Sequence, residues 1–115
     1  LRSDSATTEG YLVVKEYYKA LANGDYHSAY RELSSREMER YGTFDLWQQA
    51  KTKEQRSAVE SIQLDYVSQD IDDDVTVDYI GYRVDFVDKR PSILVRLYSV
   101  GNGWKIVGFE EFEED

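Results

Sequence analysis

Apolar residues recur at helical spacing through the first half of the chain and at every other position through the second. Tyr11, Val14, Tyr18 and Leu21 share one helical face, while Lys15, Glu16 and Lys19 lie mostly off it. Asn23-Gly24 stops this helix, because a left-handed C-cap is sterically cheap there. Asp25 can cap the next helix at once, with Tyr26, Ala29, Tyr30 and Leu33 as its buried stripe. Ser34-x-x-Glu37 matches a capping box and opens a short third segment that ends near Tyr41-Gly42. Thr43 or Asp45 then caps a fourth segment carrying Phe44, Trp47 and Ala50.

From Ala58 the period changes to two, with Ile62, Leu64 and Tyr66 on one face and Ser61, Gln63 and Asp65 on the other. The run DIDDD (70–74) supplies turn chemistry. Val75, Val77 and Tyr79 resume the alternation on odd positions, whereas Tyr82, Val84 and Phe86 continue it on even ones. Gly81 sits where the parity changes, which predicts a bulge or bend in that strand. After a turn at 88–91, a strand over 93–100 is apolar on both faces and therefore central or covered twice. Gly101-Asn102-Gly103 turns it into a last strand over 104–109.

Helices followed by an antiparallel meander define an α+β domain, with the helices packed on one face of a curved sheet. At 115 residues the chain has room for one core. We expect a polar lead-in at 1–8, a single domain over 9–112 and an acidic tail at 113–115. The net charge of −9 repels phosphate backbones and anionic membrane surfaces, and Lys51, Lys53 and Arg56 form the longest basic cluster. Nucleic acid is therefore not an expected partner. The absence of cysteine removes disulfides, thiolate zinc sites and cysteine nucleophiles. Met38 is the sole methionine, so the numbered chain does not begin at an initiator. A signal peptide, a membrane anchor with its linker, a tag or another domain is expected upstream.

Two stretches carry a family likeness: YYKALANGDYHSAYREL (17–33) followed by RYGTFDLWQQ (40–49), and the ending VGNGWKIVGF (100–109). They resemble the nuclear transport factor 2-like superfamily, the cone-shaped, cystatin-like roll shared with ketosteroid isomerases and polyketide cyclases. The first stretch looks like that family's helical lid and the second like its final hairpin. The pattern is also similar to small bacterial extracytoplasmic members, found as lipoproteins, ahead of penicillin-binding modules, or as bridging parts of conjugation and secretion machines. The resemblance implies an anchored or secreted domain that binds a ligand or packs against a partner. It does not imply catalysis, and no cofactor is expected.

The chemistry-bearing residues are few. His27 is the only histidine and falls in the first turn of a helix, where side chains point to solvent. Asp70, Asp72 and Asp74 have the first spacings of a calcium loop, but Val75 stands where its glycine belongs and Gly81 where its glutamate belongs. A solvated turn is the simpler reading, and no metal site is expected. An isomerase or cyclase would need an inward carboxylate of raised pKa beside a tyrosine hydroxyl. Asp65, Asp78 and Asp85 fall opposite the apolar rows by parity, so no catalytic residue is assigned.

Tyr18, Tyr30, Trp47, Tyr66, Tyr82, Phe86 and Trp104 are the residues that could line a pocket between helices and sheet, although they would serve equally as core. Arg83, Arg96 and Lys105 sit on neighbouring strands among acidic residues, where cross-strand ion pairs are expected. The reading that results is a non-catalytic module at the bacterial cell envelope. It would bind a small apolar or aromatic ligand or a protein, with pairing of two copies through the sheet face. A small isomerase or cyclase, and a structural or dimerising part of a secretion or conjugation complex, stand as alternatives.

Overall fold

The computed structural model describes residues 2–54, 58–88, 90–101 and 103–112, the side chains of 2–6 and 72 excepted. Arg56 of the basic cluster, Asn102 of the expected turn and the tail at 113–115 lie outside the described residues. Four helices come first: α1 (Arg2–Ala22), α2 (Tyr26–Arg31), α3 (Ser35–Tyr41) and α4 (Phe44–Lys53). Four strands follow: β1 (Val59–Asp72), β2 (Val75–Phe86), β3 (Ile93–Val100) and β4 (Gly103–Glu111). They form one antiparallel sheet in the order β1-β2-β3-β4, so the α+β class is established. β3, the strand apolar on both faces, is one of the two interior strands.

The helix boundaries follow the capping residues. Gly24 adopts φ 75° after α1, Asp25 accepts from the Ser28 amide to start α2, and Ser34 accepts from the Glu37 amide to start α3. Gly42, at φ 93°, ends α3, and Thr43 accepts from the Leu46 amide to open α4. The helical start differs from expectation. α1 runs back to Arg2, so the segment expected as a polar lead-in forms its first turns. No proline interrupts it, and Gly10 is no helix end but a point of contact with the sheet.

That contact also rotates α1 from the face expected. Gly10, Val14, Tyr17 and Ala20 point inward, Tyr18 and Leu21 are half-buried, and Tyr11 is exposed. A Cβ on Gly10 would lie 2.8 Å from the hydroxyl oxygen of Tyr82, and that hydroxyl donates to the Thr7 carbonyl. The missing side chain of Gly10 thus lets the helix approach the sheet.

The core lies between α1 to α4 and the inner face of the sheet. Val14, Tyr17, Ala29, Leu33 and Trp47 from the helical side meet Ile80, Tyr82, Val84, Val95, Leu97 and Ile106 from the strands. Each buried aliphatic side chain contributes roughly 1.5–3 kcal/mol.

The parity change expected in β2 does not occur. Ile80, Tyr82, Val84 and Phe86 all face inward, and the pairing of β2 with β3 runs without interruption from Tyr79↔Tyr98 to Val84↔Ile93. The irregularity lies across the ladder in β1: Leu64 pairs with Tyr82 and Tyr66 with Gly81, so Asp65 is an extra residue. Its insertion turns Tyr66 to the outer face, opposite to the side expected from Ile62 and Leu64. Asp78 shares the inward parity of Ile80, another departure from expectation, while Asp85 faces outward as its spacing implies. Val75 and Val77 mislead the parity count because they sit on the outer parity, near the tip of the hairpin.

The tip itself is a two-residue turn. Asp73 and Asp74 both have positive φ, at 50° and 65°, between paired Asp72 and Val75. At the opposite side of the sheet, β4 is covered. Ser34 donates its amide to the Ile106 carbonyl, and Ile106 donates to the Glu32 carbonyl, both at 2.8 Å.

Candidate interaction surface

Six of the seven aromatic residues expected around a pocket take part in the core between the helices and the sheet. Trp47 is fully buried on the helical side, with the rings of Tyr30, Phe44 and Tyr26 at 5.0, 5.9 and 6.2 Å. Tyr18 meets Phe86 edge-on at 5.8 Å, Tyr82 is buried beneath α1, and Trp104 packs against the core from the start of β4. Tyr66 alone of the seven is on the other face. Two depressions of about 560 and 320 Å³ open on the surface. Charged residues including Glu16, Lys19, Arg31 and Lys105 line the larger, Gln48 and Lys53 the smaller, and none of the seven aromatics lines either.

The carboxylates divide by environment. Asp85 accepts from Ser61 at 3.1 Å, from Arg83 at 3.0 Å and from the Ser92 hydroxyl. The hydrogen bonds from Ser92 and Arg83 hold its carboxyl below the usual carboxylate range. Asp78 accepts from the Gln69 side chain at 2.6 Å, and Asp65 is exposed at the β1 bulge. Asp70 lies within β1 and Asp74 in the turn. Among the described residues no three acidic or histidine side chains gather as a metal site would require. His27 is exposed and stacks on the Phe44 ring at 4.2 Å.

Glu37 is a buried carboxylate, although its place in the Ser34-x-x-Glu37 pattern marks it only as part of a cap. Its backbone amide completes the Ser34 cap, but the Ser34 amide is already committed to Ile106, so the reciprocal half of the capping box is not available to its carboxylate. The side chain is 3% exposed and faces Arg40 at 3.6 Å, and burial pushes its carboxyl up, opposed by Arg40 and Lys51. Tyr17 lies near it, its hydroxyl pushed well up by burial. Neither of the two surface depressions is lined by Glu37 or Tyr17.

The outer face of the sheet presents a different arrangement. Tyr66 covers Gly81 so closely that a Cβ there would fall 2.1 Å from its ring. Burial raises the Tyr66 hydroxyl, while neighbouring Arg96 opposes that rise. Arg96 pairs with Glu110 at 3.0 Å, and Tyr79 stacks with Tyr98 across the β2–β3 ladder, their rings 6.4 Å apart. Farther along, Arg83 spans Asp85, Ser92 at 3.2 Å and the ring of Phe112 at 4.9 Å. The cross-strand pair Arg96–Glu110 thus forms as expected. Lys105 instead donates to the Arg31 carbonyl at 2.5 Å, satisfying the end of α2. Glycine opposite tyrosine at the β1 bulge was the available sequence signal for the aromatic patch, but it becomes legible only once the register is known.

Comparison with protein-family models, with curated proteins and with solved structures finds no match. Among the described residues no helix is long and apolar enough to cross a membrane.

Proposed function

We propose that this chain is a non-catalytic protein-interaction module of the nuclear transport factor 2-like type, working at the bacterial cell envelope through the outer face of its sheet. One observation carries the reading: the helices pack on the inner face, while the outer face displays Tyr66, Tyr79, Tyr98 and Arg96 side by side. Tyrosine and arginine are the residue types on which interface energy concentrates, because they combine large contact area with a polar end. The two ion pairs, Arg96–Glu110 and Arg83–Asp85, place both signs of charge on that face. A second copy related by a two-fold axis is therefore its simplest occupant.

Support for binding over catalysis comes from the site chemistry. The carboxylate that points outward is held ionised by its hydrogen bonds, and the buried one adjoins no cavity among those described. The helical corner at Gly24-Asp25 and the closing β3–β4 hairpin support the nuclear transport factor 2-like reading. The envelope assignment rests on that resemblance alone.

Sedimentation velocity provides the test. The wild-type chain is expected to sediment as a dimer, and Tyr79→Lys combined with Tyr98→Lys to sediment as a monomer with an unchanged far-ultraviolet circular dichroism spectrum. A monomeric wild type, or a variant that dimerises equally well, would count against the sheet face. Fractionation of cells carrying the full-length protein tests the compartment, and recovery from the cytoplasm alone would remove the envelope assignment.

A further inference from the structure

The two edges of the sheet are treated differently. On the β4 side, Glu32 and Ser34 bond to Ile106, so the backbone there has partners beyond β3. The β1 strand is 14 residues long and pairs with β2 alone among the described residues. Edge strands present unpaired amides and carbonyls to any extended chain, and proteins commonly guard them with lysine, proline, bulges or brevity. β1 contains no lysine and no proline, and its two irregularities lie before residue 66. From residues 66 to 72 its ladder with β2 is continuous.

Side chains and charge define what could lie along this edge. Val67 and Ile71 point to the same side four residues apart, with Gln69 between them on that side, and Ile71 is 77% exposed. Residues 58–82 contain seven acidic residues and no lysine or arginine, so most of the net charge of −9 resides in this hairpin. Asp70, Asp73 and Asp74 are exposed there. A second copy would bring two acidic edges together, which Coulomb repulsion opposes. An extended chain with basic residues on alternate positions would instead add backbone hydrogen bonds, apolar contact and opposite charge together.

We infer that the free edge of β1, over residues 66–72, accepts by strand addition an extended protein segment in which lysine or arginine alternates with apolar residues. It deepens the interaction-module reading by naming a partner chemistry, but it uses the sheet edge and not the tyrosine face. Incoming apolar side chains would join Val67 and Ile71 on one side, while cationic side chains would meet Asp70 and the acidic tip.

The experiment uses a synthetic peptide of about nine residues alternating lysine and valine, matched to the length of a typical strand. Two comparators are the same peptide N-methylated at alternate residues, and a version with glutamate in place of lysine. Amide chemical shifts and hydrogen exchange of the full chain are followed during titration. The lysine–valine peptide is expected to bind saturably and to slow exchange of amides within residues 66–72. Asp70→Lys combined with Asp74→Lys should weaken it about tenfold or more, because the interacting charges are reversed.

N-methylation should abolish the protection. Equal binding of the N-methylated peptide would show attraction by charge alone and overturn strand addition. So would absence of binding, perturbation confined to Tyr66, Tyr79 and Tyr98, or, without peptide, a dimer that persists in the Tyr79→Lys, Tyr98→Lys variant and already protects the amides of residues 66–72. The Tyr79→Lys, Tyr98→Lys variant should still take the peptide, so a failure of the edge and a failure of the tyrosine face give different results.

Discussion

The Tyr66 ring lies across Gly81 of the neighbouring strand, leaving 2.1 Å between the ring and the place a β-carbon would occupy. Glycine ordinarily weakens a strand, but here its missing side chain makes the slot that holds the aromatic ring. Gly81→Ala is therefore expected to displace Tyr66 and lower stability by about 1 kcal/mol. In a Tyr66→Ala background the same substitution should be neutral or stabilising, since the obstructing ring is gone. A double-mutant cycle of denaturant unfolding measures the coupling; additive effects would refute the contact.

Gly10 gives the opposite lesson from the usual helix rule. Glycine inside a helix costs about 1 kcal/mol relative to alanine, so Gly10→Ala would stabilise an isolated helix. In this fold the new methyl would press on Tyr82, which is buried and tied through its hydroxyl to the Thr7 carbonyl. Loss of thermal stability is expected, with partial recovery when Tyr82→Phe removes the nearest atom. A higher melting temperature for Gly10→Ala alone would contradict this packing.

The hairpin tip carries avoidable strain. Asp73 and Asp74 occupy the left-handed region favoured by asparagine and glycine in this type of turn. Asp73→Asn with Asp74→Gly should raise stability by about 1 kcal/mol, read from the denaturant midpoint at unchanged slope. Relief of repulsion among the neighbouring aspartates acts in the same direction. Added salt should therefore narrow the gain and leave the conformational part.

Asp85 and Glu37 respond to pH in opposite senses. The Asp85 carboxyl is held below its ordinary 3.8 by Ser92, Arg83 and Ser61, so its stabilising contribution is full above that value. It is lost as pH falls through the lowered value, and Asp85→Asn should destabilise at neutral pH by about 1–2 kcal/mol but little in strong acid. Burial raises Glu37 above its ordinary 4.5, so ionisation costs stability as pH rises through that raised value. Glu37→Gln should gain on the order of 1 kcal/mol at neutral pH and nothing below pH 4.5. Melting curves across pH 3–8 decide both, and parallel curves for wild type and either variant would reject the assignment.

Much of the architecture was legible because local chemistry and tertiary packing agree. Asp25, Ser34 and Thr43 cap their helices, Gly24 and Gly42 end theirs, and the four strands alternate as their apolar rows suggest. The start of α1 was not, because the polar stretch before Gly10 has weak local preference and no breaker. The side occupied by Tyr66 was also hidden. A single inserted residue, Asp65, reverses parity without leaving a mark in the hydrophobic pattern. Among the aromatic candidates, Trp47 and Tyr82 show why composition could not separate pocket from core: the same ring serves either, and only packing against Tyr30 or Gly10 decides. Glu37 escaped notice because capping residues are normally solvated, whereas this one is enclosed.

The short parallel bridge between Leu33 and Ile106 sets an order of events for folding. Every strand pair in the sheet joins neighbours in sequence, so the meander can form from local encounters. Leu33 and Ile106 are far apart along the chain, and their meeting must close a long loop before it is rewarded. The helical half should therefore dock late, and the Ile106 amide, held by Glu32, should exchange with solvent only when the whole domain opens. A fluorophore reporting on the burial of Leu33 would then lag behind one placed in the β2–β3 ladder during refolding.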